Sequence, residues 1–184
     1  MRYDIKYIDT TDENEQMDGV AMKIAEDGKS YWIDIFPGFS RDYLLESLKN
    51  VFPEGTEHIS ANDFIATLIL SVSKGNVFAF NDFPNSLKEK DVLIFTDVEK
   101  YEDGSSVTDF FYDVLKYRLN FSKKKTILVG HYAQVSGDIR KLIRNIPKIV
   151  INDKQMESKN DSDGDMVYRI TIEVSKLLRK DSKT

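Results

Sequence analysis

Three short apolar segments in the second half of the chain constrain the fold more than any other feature. They are residues 91–97 (DVLIFTD), 126–130 (TILVG) and 148–151 (KIVI). A continuous apolar run of this length is typical of a parallel strand that is buried on both faces. The intervening residues 107–119 and 136–144 have helical spacing. Because strands alternate with helices, the pattern predicts βαβ units and a mainly parallel sheet.

The first half of the chain continues the same alternation. Residues 31–36 (YWIDIF) form a predicted strand, which Pro37 and Gly38 end. Ser40 then caps a predicted helix over residues 40–51, because a serine side chain accepts a hydrogen bond from the backbone amides of the first turn. The four strands named so far are expected to be neighbours with helices on both faces, which is a three-layer α/β fold.

Two further segments lie between these halves. Residues 57–60 predict a short strand, and Ser60 or Asn62 then caps a helix that Gly75 closes. The apolar residues that this predicted helix carries are Phe64, Ile65, Leu68, Ile69 and Val72. Residues 76–90 form a second, less regular piece that is rich in phenylalanine.

The segment at residues 17–28 fits two structures. Its apolar residues alternate before Asp27 and Gly28, which is a hairpin signal. A different subset has helical spacing instead, namely Met17, Val20, Ala21 and Ile24. Periodicity alone does not choose between the strand and the helix.

The pattern divides the chain into a core and a tail. Residues 1–154 are expected to form the α/β core, and the polar, acidic residues 155–165 a flexible loop. Residues 166–184 carry a helical apolar stripe and a basic end, although a strand over 168–174 competes with the helix.

Composition excludes several classes of protein. The chain has no cysteine, which rules out disulfides, thiolate metal sites and a cysteine nucleophile. It has no apolar run of the roughly 18 residues that a membrane helix needs, and no secretory signal at its N-terminus. A cytoplasmic location is therefore expected. The net charge of −5 argues against direct binding of duplex DNA, and the basic clusters are interpreted first as solvated surface.

The order of these segments resembles a known family. Residues 59–132 run from ISANDFIATLILSVSKG through KDVLIFTD to TILVGHY, and residues 136–153 (SGDIRKLIRNIPKIVIND) follow. Upstream, residues 19–52 read GVAMKIAEDGKSYWIDIFPGFSRDYLLESLKNVF. Together they resemble the AAA+ domain of the DnaA and Hda type, which acts in DNA replication initiation. The resemblance covers residues 17–154 and implies a phosphate loop, an inserted helix pair, a Walker B strand, a sensor strand and an arginine-bearing helix.

The phosphate loop departs from the family pattern. Such a loop uses glycines and a lysine to surround and neutralise phosphates. Between the strand and the helix, this chain reads FPGFSRDYLL, in which Gly38 remains, while Arg41 and Asp42 stand in place of Lys-Thr. Asp42 would repel a nucleotide's phosphates. We therefore expect a degenerate site, no cofactor and negligible ATPase activity, with weak nucleotide binding left open.

The Walker B and sensor positions are also altered. The resemblance places Thr96 at the acidic position that usually supports Mg²⁺, and Asp97 at the one that positions the attacking water. Asp97 could equally cap the following loop. His131 lies at the tip of the sensor strand, either as a ligand contact or as an ordinary surface histidine. His58 carries no functional signal.

Two further sets of residues are candidates for contacts with other molecules. Arg140 and Arg144 lie on the helix where the family keeps an arginine that reaches a neighbour's γ-phosphate, and Arg144 is the better candidate. In the inserted helix pair, partner-binding candidates are Phe78, Phe80 and Phe83, unless the core buries them.

The inserted pair is poorly suited to hold nucleic acid. Residues 62–85 contain one basic residue, Lys74, against Asp63 and Asp82. Affinity for a nucleic acid backbone comes mainly from several lysines or arginines that release counterions. The segment is therefore not expected to bind single-stranded DNA appreciably.

Two classes of function follow. The first is a non-catalytic, DnaA-like protein, a pseudo-ATPase that docks on a replication initiator, a helicase or a helicase loader. The second is a metal-dependent phosphoryl-transfer enzyme that uses carboxylates near the strand ends, namely Asp97, Glu99, Glu102, Asp103 and Asp153. An unrelated interaction module is a third possibility. The sequence favours the first, because no second motif supports an enzyme.

Overall fold

The computed structural model describes residues 13–35, 41–52, 54–75, 77–101, 106–122 and 124–151 of the 184-residue chain. The strands in this part are β1 (Tyr31–Ile35), β2 (Thr56–Ser60), β3 (Val92–Thr96), β4 (Lys125–Gly130) and β5 (Lys148–Ile151). The α-helices are α1 (Glu13–Ala25), α2 (Arg41–Val51), α3 (Ala61–Ser73), α4 (Val77–Glu89), α5 (Ser106–Tyr117) and α6 (Gly137–Ile143). Short turns of helix add Val98–Lys100, Arg118–Ser122 and Tyr132–Gln134.

The five strands form one sheet in the order β2-β3-β4-β1-β5, and every neighbouring pair is parallel. The four strands predicted as neighbours are contiguous in it, and the short segment at 57–60 is an edge strand. Because β1 lies between β4 and β5, the chain leaves β1 towards one edge and later returns to its other side. Open parallel sheets bind ligands at the carboxyl ends of the strands beside such a reversal.

Helices cover both faces of the sheet, as the sequence predicts. Successive side chains of a strand point to opposite faces. Trp32 and Leu128 therefore join one core with α3, α4, α5 and α6, whereas Ile33 and Ile127 join the other with α1 and α2. Both cores consist of fully buried apolar side chains, which makes the domain a three-layer α/β fold.

The ambiguous segment near the N-terminus is a helix. Met17, Val20 and Ile24 are buried on one side of α1, while Met22 is 60% exposed. Helical spacing prevails here because it gives α1 a single apolar face to pack against α2 and the sheet. The ammonium group of Lys125 donates to the backbone carbonyl of Ile24, and so stabilises the carboxyl end of α1.

The segment at residues 76–90 is more regular than the sequence suggested. It forms the helix α4, with Pro84 inside it. Ser60 caps the preceding helix α3, since its Oγ accepts a hydrogen bond from the amide of Asp63. Gly75 has φ +63°, a left-handed conformation that glycine adopts without strain, and lies in the tight turn between the helices. The helix pair that the resemblance implies is therefore present, and its second member is more regular than the sequence pattern suggested.

A buried arginine fixes the other end of α4. Arg118 is entirely buried, and all of its hydrogen bonds go to neutral oxygens. The acceptors are the carbonyl oxygens of Leu87, Lys88, Lys90 and Lys125 and the hydroxyl of Thr126, at 2.6–3.1 Å. Burial lowers the pKa of this guanidinium to about 10. Arg118 thus joins the carboxyl end of α4 to the beginning of β4.

The predicted acidic loop at 155–165 and the predicted terminal segment at 166–184 lie outside the described residues. The same holds for Gly38 and Ser40. Within the part of the chain that is described, none of the helices is long and apolar enough to cross a membrane.

Candidate functional site

The predicted nucleotide-site residues converge on the carboxyl edge of the sheet. Arg41 begins α2 just beyond β1, Asp97 follows β3, and His131 follows β4. These parallel strands end at the same edge, which is why residues far apart in sequence come together there.

Arg41 bridges two carboxylates at this edge. Its Nη1 lies 2.5 Å from Oδ1 of Asp97, and its Nη2 lies 3.2 Å from Oε1 of Glu99. The guanidinium is about one-third exposed, and the Glu99 side chain is only 12% exposed. Lys100 adds a weaker ion pair with Asp97, at 3.7 Å. The two acids are therefore already neutralised by cations of the same chain.

Asp97 has an unusual backbone conformation. Its φ of 57° and ψ of 36° are left-handed, the only positive φ of a non-glycine residue in the described part of the chain. Asp tolerates this region better than most residues, at a cost of roughly 1–2 kcal/mol. The carboxylate makes no cap bond to the turn that follows, and contacts Arg41 instead. Strain of this kind is often found at functional positions.

Glu99 is held from both sides. Its Oε1 accepts from Arg41, and its Oε2 accepts from the backbone amide of His131 at 3.3 Å. The approach is possible because β4 ends in Gly130, where a Cβ atom would lie 2.2 Å from Oε2 of Glu99. The glycine at the tip of the sensor strand therefore makes room for this carboxylate.

A second group of charged residues, around Asp34, lies beside the Arg41 bridge and was not predicted from the sequence. Asp34, at the end of β1, is 5% exposed. Its Oδ1 accepts from the amide of Tyr132 at 2.9 Å, and its Oδ2 forms an ion pair with Lys148 at 2.7 Å. Nδ1 of His131 lies 3.6 Å from the same carboxylate. The sequence signal for this group was Asp34, the single aspartate inside the apolar run YWIDIF. A buried charge requires a partner.

The two candidate trans-acting arginines differ in their surroundings. Arg140 donates to the carbonyls of Ala133 at 3.0 Å and Val135 at 2.8 Å, and stacks over the ring of Tyr132 at 5.6 Å. Arg144, by contrast, is exposed at the end of α6, and its side chain has no hydrogen bond or ion pair with any described residue. Of these two arginines, Arg144 is therefore the one whose guanidinium is not held by a hydrogen bond or ion pair to a described residue.

Thr96 and Asp42, two further predicted residues, lie in different environments. Thr96 is buried at the end of β3, where its hydroxyl lies 3.4 Å from Nε2 of His58. Burial and the charge of Lys49 lower the pKa of His58. Asp42 is exposed in the first turn of α2, one residue beyond Arg41.

The phenylalanine segment packs inwards. Phe80 contacts Phe110 with ring centroids 4.7 Å apart, and Phe83 contacts Phe64 at 5.5 Å. Both are half-buried against the core, and the side chain of Phe78 lies outside the described residues. Among the described side chains of the helix pair α3 and α4, the large apolar ones that are well exposed lie on α3, namely Ile69, Leu70 and Val72.

The carboxylates proposed for a metal site are not arranged for one in the described residues. No group of three or more histidine, aspartate or glutamate side chains there could hold a metal ion. Asp97 and Glu99 bind Arg41, while Glu102, Asp103 and Asp153 lie outside the described residues.

Neither a protein-family model nor a curated protein matches the sequence. Solved structures do match. Domain III of the Thermotoga maritima replication initiation protein DnaA has a TM-score of 0.63 at 17% identity, over 79% of this chain and 65% of that one. DnaA from Aquifex aeolicus bound to AMPPCP has a TM-score of 0.61 at 20% identity, over 73% of this chain and 45% of that one. These matches show that the chain shares the fold of DnaA domain III.

A DnaA structure bound to AMPPCP and single-stranded DNA has the same fold, with a TM-score of 0.61 at 18% identity. It aligns with 75% of this chain, which spans only 44% of that protein. The resemblance stated from the sequence would place the phosphate loop between β1 and α2 and the Walker B position at the end of β3. The bridge from Arg41 to Asp97 and Glu99 lies at the carboxyl edge of this sheet, between the beginning of α2 and the residues that follow β3.

Proposed function

We propose that this chain is a DnaA-like AAA+ protein that acts in replication initiation by docking on another protein and does not hydrolyse ATP. The observation that carries the proposal is the Arg41 bridge to Asp97 and Glu99. An AAA+ site that turns over ATP needs its acids available for Mg²⁺ and for the attacking water. Here Asp97, the one acid that remains at the Walker B position, is already paired with a guanidinium.

Charge supports this interpretation. A nucleotide complex would require Mg²⁺ to displace Arg41, or the phosphates to draw it away from two partly buried carboxylates. Either exchange would break the contacts at 2.5–3.2 Å that now pair Arg41 with Asp97 and Glu99. Thr96, in the place of the first Walker B acid, supplies no charge for the metal, and Asp42 adds repulsion near the phosphates.

The expected partner is a replication initiator, a helicase or a helicase loader. The DnaA fold supports this class of partner, and Arg144 supplies an exposed guanidinium that could reach a nucleotide bound by a neighbouring subunit. A chain that binds no ATP itself can still act in this way, because an arginine finger works in trans.

Calorimetry tests the nucleotide part of the proposal. Titration of Mg-ATP into the protein is expected to give no measurable binding, and turnover is expected to be negligible. A micromolar Kd together with turnover that Asp97→Asn abolishes would overturn it. Arg41→Ala is the informative variant, because it frees Asp97 and Glu99: a gain of Mg²⁺-dependent nucleotide binding is expected if Arg41 closes the site.

A binding assay against purified initiator, helicase and loader from the same cell tests the docking part. One of the three is expected to bind, and Arg144→Ala is expected to reduce any stimulation of that partner's ATPase activity. Lys116→Ala, which removes an exposed cation from α5, is the matched control. Failure to bind all three proteins would refute docking on this class of partner.

A further inference from the structure

The outer face of α3 is apolar and open to solvent. It consists of Ala66, Ile69, Leu70 and Ser73, which recur at intervals of three and four residues and so lie on one side of the helix. Ile69 is 57% exposed and Leu70 is 55% exposed. Val72, one turn after Leu68 and away from Leu70, is 61% exposed. The opposite side of α3 packs Phe64 and Leu68 into the core.

Exposed apolar side chains are unevenly distributed over the described residues. Five large apolar side chains are well exposed in the described residues, and three of them lie on α3. The other two, Met22 and Phe121, are single residues on other elements. Isolated exposed apolar side chains are ordinary, whereas the adjacent Ile69 and Leu70 on the outer side of one helix form a patch that indicates a contact with another molecule.

Opposite charges flank the outer face of α3. Asp63 lies in its first turn, and Lys74 follows its last residue. Both are exposed, and Lys74 has no hydrogen-bonding or ionic side-chain partner among the described residues. They are eleven residues apart, which is about three turns and about 16 Å, so both lie on the same side of the helix as Leu70.

We propose that the outer face of α3 binds a second copy of this chain in an antiparallel, two-fold arrangement. An antiparallel pair centred between Leu68 and Ile69 places Asp63 of one copy opposite Lys74 of the partner subunit, and the reverse contact follows by symmetry. Leu70 and Ile69 then lie next to the two-fold axis, and Ala66 lets the helix backbones approach closely.

The order of the charges along α3 favours the antiparallel arrangement over a parallel one. A parallel pair would place Asp63 against the partner's Asp63 and Lys74 against the partner's Lys74, which is repulsive at both ends. The antiparallel pair also aligns the helix dipoles favourably. The face is only about three turns long, so its buried area falls at the low end for protein interfaces and the dimer should be weak.

Sedimentation velocity from about 5 to about 500 µM protein tests the proposal, because a weak dimer dissociates across that range. A reversible shift from monomer to dimer is expected. Leu70→Ser is expected to leave only monomer, while Phe121→Ser, at an equally exposed apolar position away from α3, is expected to dimerise like the original protein. A monomer at every concentration, or equal effects of the two variants, would overturn the proposal.

A charge exchange tests the orientation. Lys74→Glu is expected to weaken the dimer by about tenfold, because it sets two pairs of like charges against each other. Adding Asp63→Lys to this variant is expected to restore the dimer, since the attractive pairs then re-form with their signs reversed. Circular dichroism shows whether each variant keeps its helices. A folded double variant that associates no better than Lys74→Glu would rule out the antiparallel pairing.

Discussion

At the scale of single residues, the site depends on a close approach between Gly130 and the side chain of Glu99. The carboxylate of Glu99 occupies the volume that any side chain at position 130 would need. Arg41 depends on the same carboxylate, so the end of β4 and the beginning of α2 are linked through one side chain. The bridge therefore responds to a change at a residue that contributes no charge.

Gly130→Ala is expected to destabilise the protein by about 1–3 kcal/mol, because the added methyl group overlaps Glu99 and forces it away from Arg41. Urea denaturation followed by circular dichroism measures the change. Gly28→Ala is the matched control, since nothing lies within 4 Å of its added carbon. Equal midpoints for the two variants would show that Glu99 moves aside without cost.

His58 gives the fold a pH dependence. Burial and Lys49 lower its pKa below the ordinary value of 6.5, against the attraction of Asp63, Asp97 and Glu57. Below pH 6.5 the unfolded chain therefore takes up a proton more readily than the folded one. The stability that neutral His58 contributes is expected to be fully present above pH 6.5 and to be lost as the pH falls through the folded-state pKa.

Thermal melts between about pH 5 and pH 8 measure this dependence, and comparison with His58→Gln isolates the histidine from the carboxylates. The variant is expected to show a flatter profile on the acid side of pH 6.5. Identical profiles for the two proteins would show that His58 does not contribute.

Secondary-structure elements in this fold are joined by buried cations. Lys125 binds carbonyl oxygens at the end of α1, and Arg118 binds those at the end of α4. A cation at the carboxyl end of a helix satisfies acceptors that have no partner within the helix and interacts favourably with the helix dipole. Both cations come from the region where α5 leads into β4, so this short stretch holds two helices in position.

Arg118→Met is expected to cost about 3 kcal/mol or more of unfolding free energy, because methionine fills the volume but leaves several buried carbonyls without donors. Arg118→Lys should recover part of the loss, since an ammonium group replaces some of the hydrogen bonds. Chemical denaturation compares both with Arg144→Met, which is exposed and should change stability by less than about 0.5 kcal/mol. A small effect of Arg118→Met would mean that water replaces the guanidinium.

The sequence predicts the elements better than their contacts. Continuous apolar runs identify β1, β3, β4 and β5, because strands buried on both faces leave little choice of residue. The sequence does not show which apolar residues of α3 face the core, since Ile69 and Val72 are as apolar as Leu68 and only packing in the folded domain decides which of them are covered. The Arg41 bridge spans 56 positions in sequence, so only the folded sheet could reveal it.

At the scale of the whole molecule, the distribution of charge limits what the DnaA fold can bind here. DnaA itself has been solved with single-stranded DNA. The hairpin of α3 and α4 in this chain carries few cations and presents Ile69 and Leu70 to solvent. Its exposed surface is thus better suited to a protein than to a phosphate backbone.

A gel-shift assay with labelled single-stranded DNA at about 150 mM salt tests this difference, and Kd is expected to be weaker than about 10 µM because too few counterions are released. Binding below 1 µM (on the order of a specific complex) that Lys74→Glu abolishes would contradict the prediction. Lys116→Glu, an exposed lysine on α5, is the control for a general effect of net charge.

The central position of β1 has a consequence for synthesis. Tyr31 pairs with Ile127 on one side, and Trp32 pairs with Lys148 on the other, so both neighbours of the first strand emerge from the ribosome roughly a hundred residues after it. Until then its hydrogen-bonding groups and apolar side chains remain uncovered, a condition that favours aggregation of nascent chains. We expect newly made chains to depend on chaperones until β4 and β5 have been translated.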